Sequence, residues 1–439
     1  MPGIYYGFIV TIFDPRNHNK FQKQPMKNPL TLLAACVPLL IACEAPAPQP
    51  DSEPGAPMDY AAEAQRIAKT SIIIDTHVDV PFRLLENPQD VSESTATGDF
   101  DYPRAVSGGL NAPFMSIFTE ADLEAQGKSR VAADELIDLV DGIVADAPEK
   151  FAIARSPDEI RRHFEQGIMS LPLGLENGSP IEGNLANLKH FYDRGIRYIT
   201  LTHGKSNHIS DSSYDAEHQW NGLSEFGIEV VKEMNRFGIM VDVSHLSDDA
   251  FWDVMETSTS PVIASHSSAR HFTPGWERNM NDDMIMALAE NGGVMQINFG
   301  SGFISKPARD YDTPRMAAAQ EWMAANPEKG YADLFRDWLP QYTAEHGPYP
   351  YASLDDVLDH FDHVVNLVGI DHVGIGSDFD GVGDSLPTGL KDVAAYPNLI
   401  EGLLKRGYSE QDIQKILGGN LLRVWEDVEG KALKKQTSG

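Results

Sequence analysis

Cysteine is close to absent from this chain. Its two copies, Cys36 and Cys43, both lie ahead of the first segment with globular patterning. No disulfide therefore staples the folded part, and no thiolate is on hand there as a metal ligand. Basic residues are also in short supply, 35 Lys+Arg against 65 Asp+Glu. The resulting net charge of -30 repels phosphate backbones and anionic lipid surfaces, which excludes nucleic acid as a partner. Beyond residue 43 no apolar run is long enough to cross a bilayer, and neither an internal repeat nor a second hydrophobic domain can be read. What remains, 42% hydrophobic and 23% charged residues, is ordinary globular material able to bury a full core.

Met26-Lys27-Asn28-Pro29, the apolar run from Leu30 to Ala42 and then Cys43 follow the order of a secretory signal. A positive start precedes an apolar stretch too short to span a membrane, and a small residue precedes the cut. Leu40-Ile41-Ala42-Cys43 resembles the lipobox of bacterial lipoproteins, in which the cysteine carries lipid and becomes the first residue of the mature chain. An ordinary cleaved signal is the other reading, and either one exports the protein. The expected layout is a spurious extension over 1–25, with Met26 the better start, and a lipoprotein signal over 26–43. A Pro- and Ala-rich tether over 44–58, one large domain over 59–430 and a flexible tail over 431–439 follow. Cys43 would anchor that domain at the bacterial envelope, on the periplasmic side or at the outer membrane.

The domain reads as alternating strands and helices. Ile72-Ile73-Ile74 begins a run of the kind buried on both faces in a parallel sheet. Seven more such runs follow: Leu110–Phe118, Met169–Leu175, Tyr198–Thr202, Met240–Ser244, Val262–Ser265, Val294–Asn298 and Val373–Ser377. A short helix over Tyr60–Thr70 feeds the first run, and helical segments lie between the runs, among them Glu225–Phe237, closed by Gly238. Ser353 with Asp356 and Ser409 with Asp412 read as capping boxes, before helices stopping at Gly369 and Gly418. Eight strands alternating with helices predict a (β/α)₈ TIM-type barrel of the metal-dependent hydrolase kind. Residues 305–351 are long for one connection, and their apolar spacing predicts a helical insertion over the loop face.

In such barrels the site is assembled at the carboxyl ends of the strands. Here those ends are polar: His77 and Asp79 after the first strand, Glu176 after the third, then His203, His245 and His266, and Asp378 after the last. A lone His-x-Asp reads equally as a buried histidine satisfied by its neighbour. Repetition around the barrel makes a metal site the better reading. Imidazole and carboxylate donors suit Zn²⁺, and also Mn²⁺, Co²⁺ or Fe²⁺. Even five ligands drawn from these residues exceed what one tetrahedral ion uses, whereas two ions about 3.5 Å apart, sharing a hydroxide and a bridging carboxylate, accommodate them.

Taken together, Asp75-Thr76-His77-Val78-Asp79, Gly174-Leu175-Glu176-Asn177-Gly178, Leu201-Thr202-His203, Val241-Asp242-Val243-Ser244-His245, Ser265-His266-Ser267-Ser268, Gly376-Ser377-Asp378-Phe379-Asp380-Gly381 and Asn420-Leu421-Leu422-Arg423-Val424 resemble the membrane dipeptidase family, which includes the renal dipeptidases. The resemblance implies two Zn²⁺ per chain and hydrolysis of dipeptides by a hydroxide shared between them, with a D-residue at the second position a further expectation. It assigns His77 and Asp79 to one zinc, His245 and His266 to the other, and Glu176 to the bridge. His203 would act at the scissile carbonyl and Asp378 in proton transfer. Arg278 would hold the substrate carboxylate, with Arg270 as the neighbouring alternative. Partners expected on this reading are dipeptides and the membrane through Cys43, with a homodimer left open.

Two departures from the family stand out. The folded part has no cysteine where vertebrate members carry disulfides, and Gly300-Ser301-Gly302 stands where those members place bulkier side chains. Competing readings are another amidohydrolase-type barrel acting on cyclic amides, lactones or phosphoesters, and a non-catalytic envelope lipoprotein. The first commonly begins with His-x-His and bridges its metals through a carbamylated lysine, where this chain offers His-x-Asp and Glu176.

Overall fold

The computed structural model describes residues 58–330 and 333–438. The leader, Cys43 and the tether lie outside these residues. Ten strands form: β1 Ile73–Val78, β2 Leu110–Phe118, β3 Phe151–Ile153, β4 Met169–Leu171, β5 Leu173–Glu176, β6 Ile196–Thr200, β7 Met240–Asp242, β8 Ile263–Ser267, β9 Val294–Ile297 and β10 Val373–Ile375. Eight of them make one parallel sheet in the order β1-β2-β5-β6-β7-β8-β9-β10. The sheet curls until its edges meet, where the Asp378 amide donates to the His77 carbonyl (3.1 Å) and the Asp79 amide to the Phe379 carbonyl (2.9 Å). This is the (β/α)₈ barrel expected from the strand runs.

One run is corrected. Met169–Leu175 is two strands, because Pro172 has no amide hydrogen with which to continue the ladder. The β4 half pairs in parallel with β3, a strand too short to read from sequence, while the β5 half enters the barrel beside β2. A second correction concerns Gly418. The helix Glu410–Gln414 passes through a wider turn at Lys415–Gly419, where Gly418 leaves helical conformation, and continues as Asn420–Ser438. Gly418 is thus a kink, and helix runs through most of the segment read as a tail. Both capping boxes form, and the first of these helices ends at Gly369 as read.

Apolar side chains between the barrel and its helices form the larger core. Inside the barrel, Ile74, Phe114, Tyr198, Met240, Ile263 and Val294 pack against Leu421, Leu422 and Trp425 of the last helix. That helix plugs the amino-terminal mouth, so only the carboxyl mouth is left for chemistry. The inserted segment supplies the helices Lys306–Ala325 and Leu339–His346. Among the described residues no helix is long and apolar enough to cross a membrane.

Candidate metal centre

Every expected ligand reaches the carboxyl mouth, and Glu176 stands in the middle. Its Oε2 is 3.3 Å from His77 Nε2, which is itself 3.4 Å from Asp79 Oδ2. Its Oε1 is 3.2 Å from His245 Nε2, 3.3 Å from His266 Nε2 and 3.6 Å from His203 Nε2. The carboxylate thus divides the donors, His77 with Asp79 on one oxygen and His245 with His266 on the other. With metal–nitrogen bonds of about 2.0–2.1 Å, two ligands on a tetrahedral ion stand roughly 3.3 Å apart. These spacings match that edge, although His245 and His266 approach more closely, at 2.8 Å between Nε2 atoms.

Strict alternation along β1 would turn Thr76 and His77 to opposite faces. A register irregularity between Asp75 and Val78 breaks the alternation, as bulges near sites do. Thr76 Oγ1 donates to the Ile375 carbonyl (3.0 Å) while His77 also faces the barrel interior, against Tyr198 and Glu176. At the other mouthward turns, Asn177, His245 and Asp378 take left-handed φ values of 78°, 69° and 65°. Non-glycine residues adopt that region at a cost of about 1–3 kcal/mol, and such strain gathers where side chains must be aimed.

Hydrogen bonds fix which imidazole nitrogens carry lone pairs. The Tyr198 hydroxyl donates to the Thr76 carbonyl (2.9 Å), so toward His77 Nδ1, also at 2.9 Å, it can only accept. In the neutral ring this leaves the lone pair on His77 Nε2, toward Glu176. Likewise the Ser265 hydroxyl donates to Asp242 (2.6 Å) and accepts from His266 Nδ1 (2.7 Å), leaving His266 Nε2 bare. Such partners orient metal-binding imidazoles. Gly174 makes room for the first arrangement, since a Cβ there would lie 2.0 Å from the Tyr198 ring.

Electrostatics point the same way. Burial, with the nearby Arg278 guanidinium among the other causes, holds His245 and His266 well below the ordinary imidazole range, so both are neutral donors. Burial pushes Glu176 up, but the surrounding imidazoles outweigh it and keep the carboxylate ionised. Burial opposes charge on His77 too, yet Tyr198, Glu176 and Asp79 together draw it well above its usual range. The negative charge that attracts a proton there would equally attract a divalent cation. Asp378 is pushed up to about 8, first by burial and then by the Asp79 charge. Its Oδ2 accepts from Asn298 Nδ2 at 2.7 Å.

The two candidate arginines separate cleanly. Arg270 is committed to Asp248 through both terminal nitrogens (2.7 and 2.5 Å) and to the backbone of Glu277 and Asn279. Arg278 is buried beside His245 and His266, with Nη1 donating to Ser267 (2.8 Å) and Nη2 lying 2.8 Å from the His266 carbonyl and 3.1 Å from His245 Nε2. Among the described residues its buried Nε–H has no protein acceptor. Phe303 lies under the guanidinium at 5.2 Å, and Trp276 packs on Phe303. Arg309, from the insertion, stacks on Trp276 at 3.9 Å.

The eight residues expected at the site, His77, Asp79, Glu176, His203, His245, His266, Asp378 and Arg278, meet at this mouth, whereas Tyr198, Asp242, Asn298 and Arg309 were not among them. The first three of these four are polar groups on or beside strands read only as apolar runs. A hydroxyl, carboxylate or amide interrupting or ending such a run is the signal that would have found them.

A (β/α)₈ barrel with carboxylate-linked histidines at its carboxyl mouth defines a metal-dependent hydrolase. Comparison with known proteins narrows the class. Residues 61–439 match the membrane dipeptidase (peptidase family M19) model, and the chain belongs to that family as a metallo-dipeptidase. It is 32% identical to an uncharacterised dipeptidase of Schizosaccharomyces pombe over 84% of this chain and 83% of that one. The probable dipeptidase PvdM of Pseudomonas aeruginosa superposes with a TM-score of 0.73 at 27% identity, covering 86% of this chain and all (100%) of that one. A Rhodobacter sphaeroides metallopeptidase, solved with a phosphinate mimic of the dipeptide L-Ala-D-Ala, gives 0.66 at 25% identity, covering 82% and 99%.

Proposed function

We propose that this chain is a binuclear zinc dipeptidase that accepts a D-residue at the second position. The division of the donors by the two oxygens of Glu176 carries the two-ion reading. His77, Asp79, Glu176, His245 and His266 would hold the divalent pair, which would supply a hydroxide nucleophile at neutral pH without a side-chain nucleophile. Asp378 takes the proton and passes it to the leaving amine. His203, on the Oε1 side of Glu176, donates to the oxygen that becomes negative as the carbonyl is attacked. The buried Nε–H of Arg278 is an unmet donor that a substrate carboxylate would satisfy. The bound L-Ala-D-Ala mimic of the Rhodobacter sphaeroides relative supports the D-residue expectation.

Elemental analysis followed by a dipeptide panel with L-L and L-D pairs tests this reading. About two zinc ions per active chain, loss of turnover on chelation and recovery with Zn²⁺ are expected. One ion or none per active chain would overturn it. The lipobox supports export and anchoring through Cys43, and Cys43→Ala is expected to leave the membrane fraction. A variant that still fractionates with membranes would refute the anchor.

A further inference from the structure

Outside the central set, a second group of donors converges on the surface. His271 lies in the short turn Arg270–Phe272, Asp282 is the first residue of the helix Asp282–Glu290, and His363 is on the helix Leu354–Val368. One ligand atom from each falls within 4.8 Å of the others. His363 Nε2 is 2.8 Å from Asp282 Oδ1, and the His271 and His363 rings stack at 4.6 Å with 24° between planes.

An ordinary His–Asp pair accounts for His363 and Asp282 but not for His271. That ring is exposed, makes no hydrogen bond to the protein among the described residues, and lies flat against a second imidazole. Two imidazoles and one carboxylate suit borderline transition ions of the Zn²⁺ class, and not Mg²⁺ or Ca²⁺, which prefer sets built of oxygen. The three donors come from three separate segments, so side-chain adjustment can draw them toward one ion.

We infer that His271, Asp282 and His363 form a peripheral site for a Zn²⁺-class ion, distinct from the central ligands and sharing none of them. Its place in the chain gives it a role. His271 and Asp282 bracket the segment that carries Trp276 and Arg278, and His363 belongs to a neighbouring helix. One turn earlier on that helix, His360 Nδ1 accepts from the Ala269 amide at 3.0 Å. An ion at this site staples both ends of the arginine segment to that helix.

The test uses the full chain, with Zn²⁺ alone as the probe. Equilibrium dialysis across micromolar free Zn²⁺ should give one more zinc per chain in the parent than in His271→Ala or His363→Ala. Because the readout is the difference between parent and variants, it holds whatever number the central ligands bind. Asp282→Asn, which leaves the Asn281 cap of its helix intact, should lose the same equivalent. Excess Zn²⁺ should raise the melting temperature further in the parent than in the variants and slow proteolysis within 271–282 in the parent only, and Mg²⁺ should do neither. Equal zinc uptake by parent and variants, retention by His271→Ala alone, or an equal effect of Mg²⁺ would overturn the assignment.

Discussion

Tyr198 accepts from His77 Nδ1 at 2.9 Å because its own hydrogen is spent on the Thr76 carbonyl. The phenol therefore holds one imidazole tautomer without touching a metal. Tyr198→Phe keeps the ring inside the barrel and removes the acceptor. Zinc affinity should fall about 10- to 100-fold, the usual worth of such a partner. Competitive titration with a chelator measures it, and an unchanged dissociation constant would show that His77 needs no such support.

Under the proposed function Asp378 carries the proton-transfer step. Asp378→Asn should keep both metals and lower kcat by roughly 10² to 10⁴. The alternative is a carboxylate that merely shapes the following turn, where a Cβ at Gly381 would lie 2.2 Å from both Asp378 Oδ1 and Asp79 Oδ2. Near-normal kcat in the asparagine variant would favour that alternative.

If Arg278 grips the terminal carboxylate, that group must sit one residue beyond the scissile bond, so tripeptides should be poor substrates. Losing a charge-assisted contact costs about 1.5–3 kcal/mol, and Arg278→Ala should lower kcat/KM about 10- to 100-fold. Amidated dipeptides should hurt the parent similarly and the variant hardly at all. Arg270→Ala, which breaks the Asp248 pair, should leave the preference for a free carboxylate intact. Equal rates for amidated and free dipeptides in the parent would disprove that Arg278 grips the terminal carboxylate.

His360 gives the fold an acid-sensitive point. Its Nδ1 accepts from the Ala269 amide and its Nε2–H donates to the Ile304 carbonyl at 2.9 Å. Burial lowers it from 6.5 to about 4. The unfolded chain then binds the proton more readily, so this contribution is whole above pH 6.5 and drains away as pH falls toward 4. The loss should approach about 3 kcal/mol. Denaturant titrations at pH 7 and pH 4.5, with His360→Gln for comparison, measure it, and an equal pH dependence in the two proteins would remove His360 as the cause.

The barrel was legible because each β-branched run is buried on both faces and each ends abruptly in a polar residue, as Ile72-Ile73-Ile74 does before His77. The ligands were legible for the same reason. Less visible were features set by neighbours distant in sequence. Pro172 divides one run in two only because β3 is there to pair with its first half. Tyr198 reads as one more bulky strand residue until Gly174 is seen to admit its ring. Nothing in the spacing of Arg270 and Arg278 says that Asp248 claims the first of them.

The seam between β1 and β10 also sets an order of events. Asp75 Oδ1 accepts from the Ser377 amide across 302 residues of sequence, and His77 stacks on His266 with ring centroids 3.7 Å apart, although four strands separate β1 from β8 along the sheet. An uncurled sheet would hold those imidazoles far apart. Bringing such distant strands together is entropically costly and slow, so the central ligands reach their spacing only once the last strand has docked. A chain whose last strand has not yet docked has no finished centre. Under the proposed function, a metal ion captured at that stage would be held by stray pairs of donors, and correct loading belongs to the final step of folding.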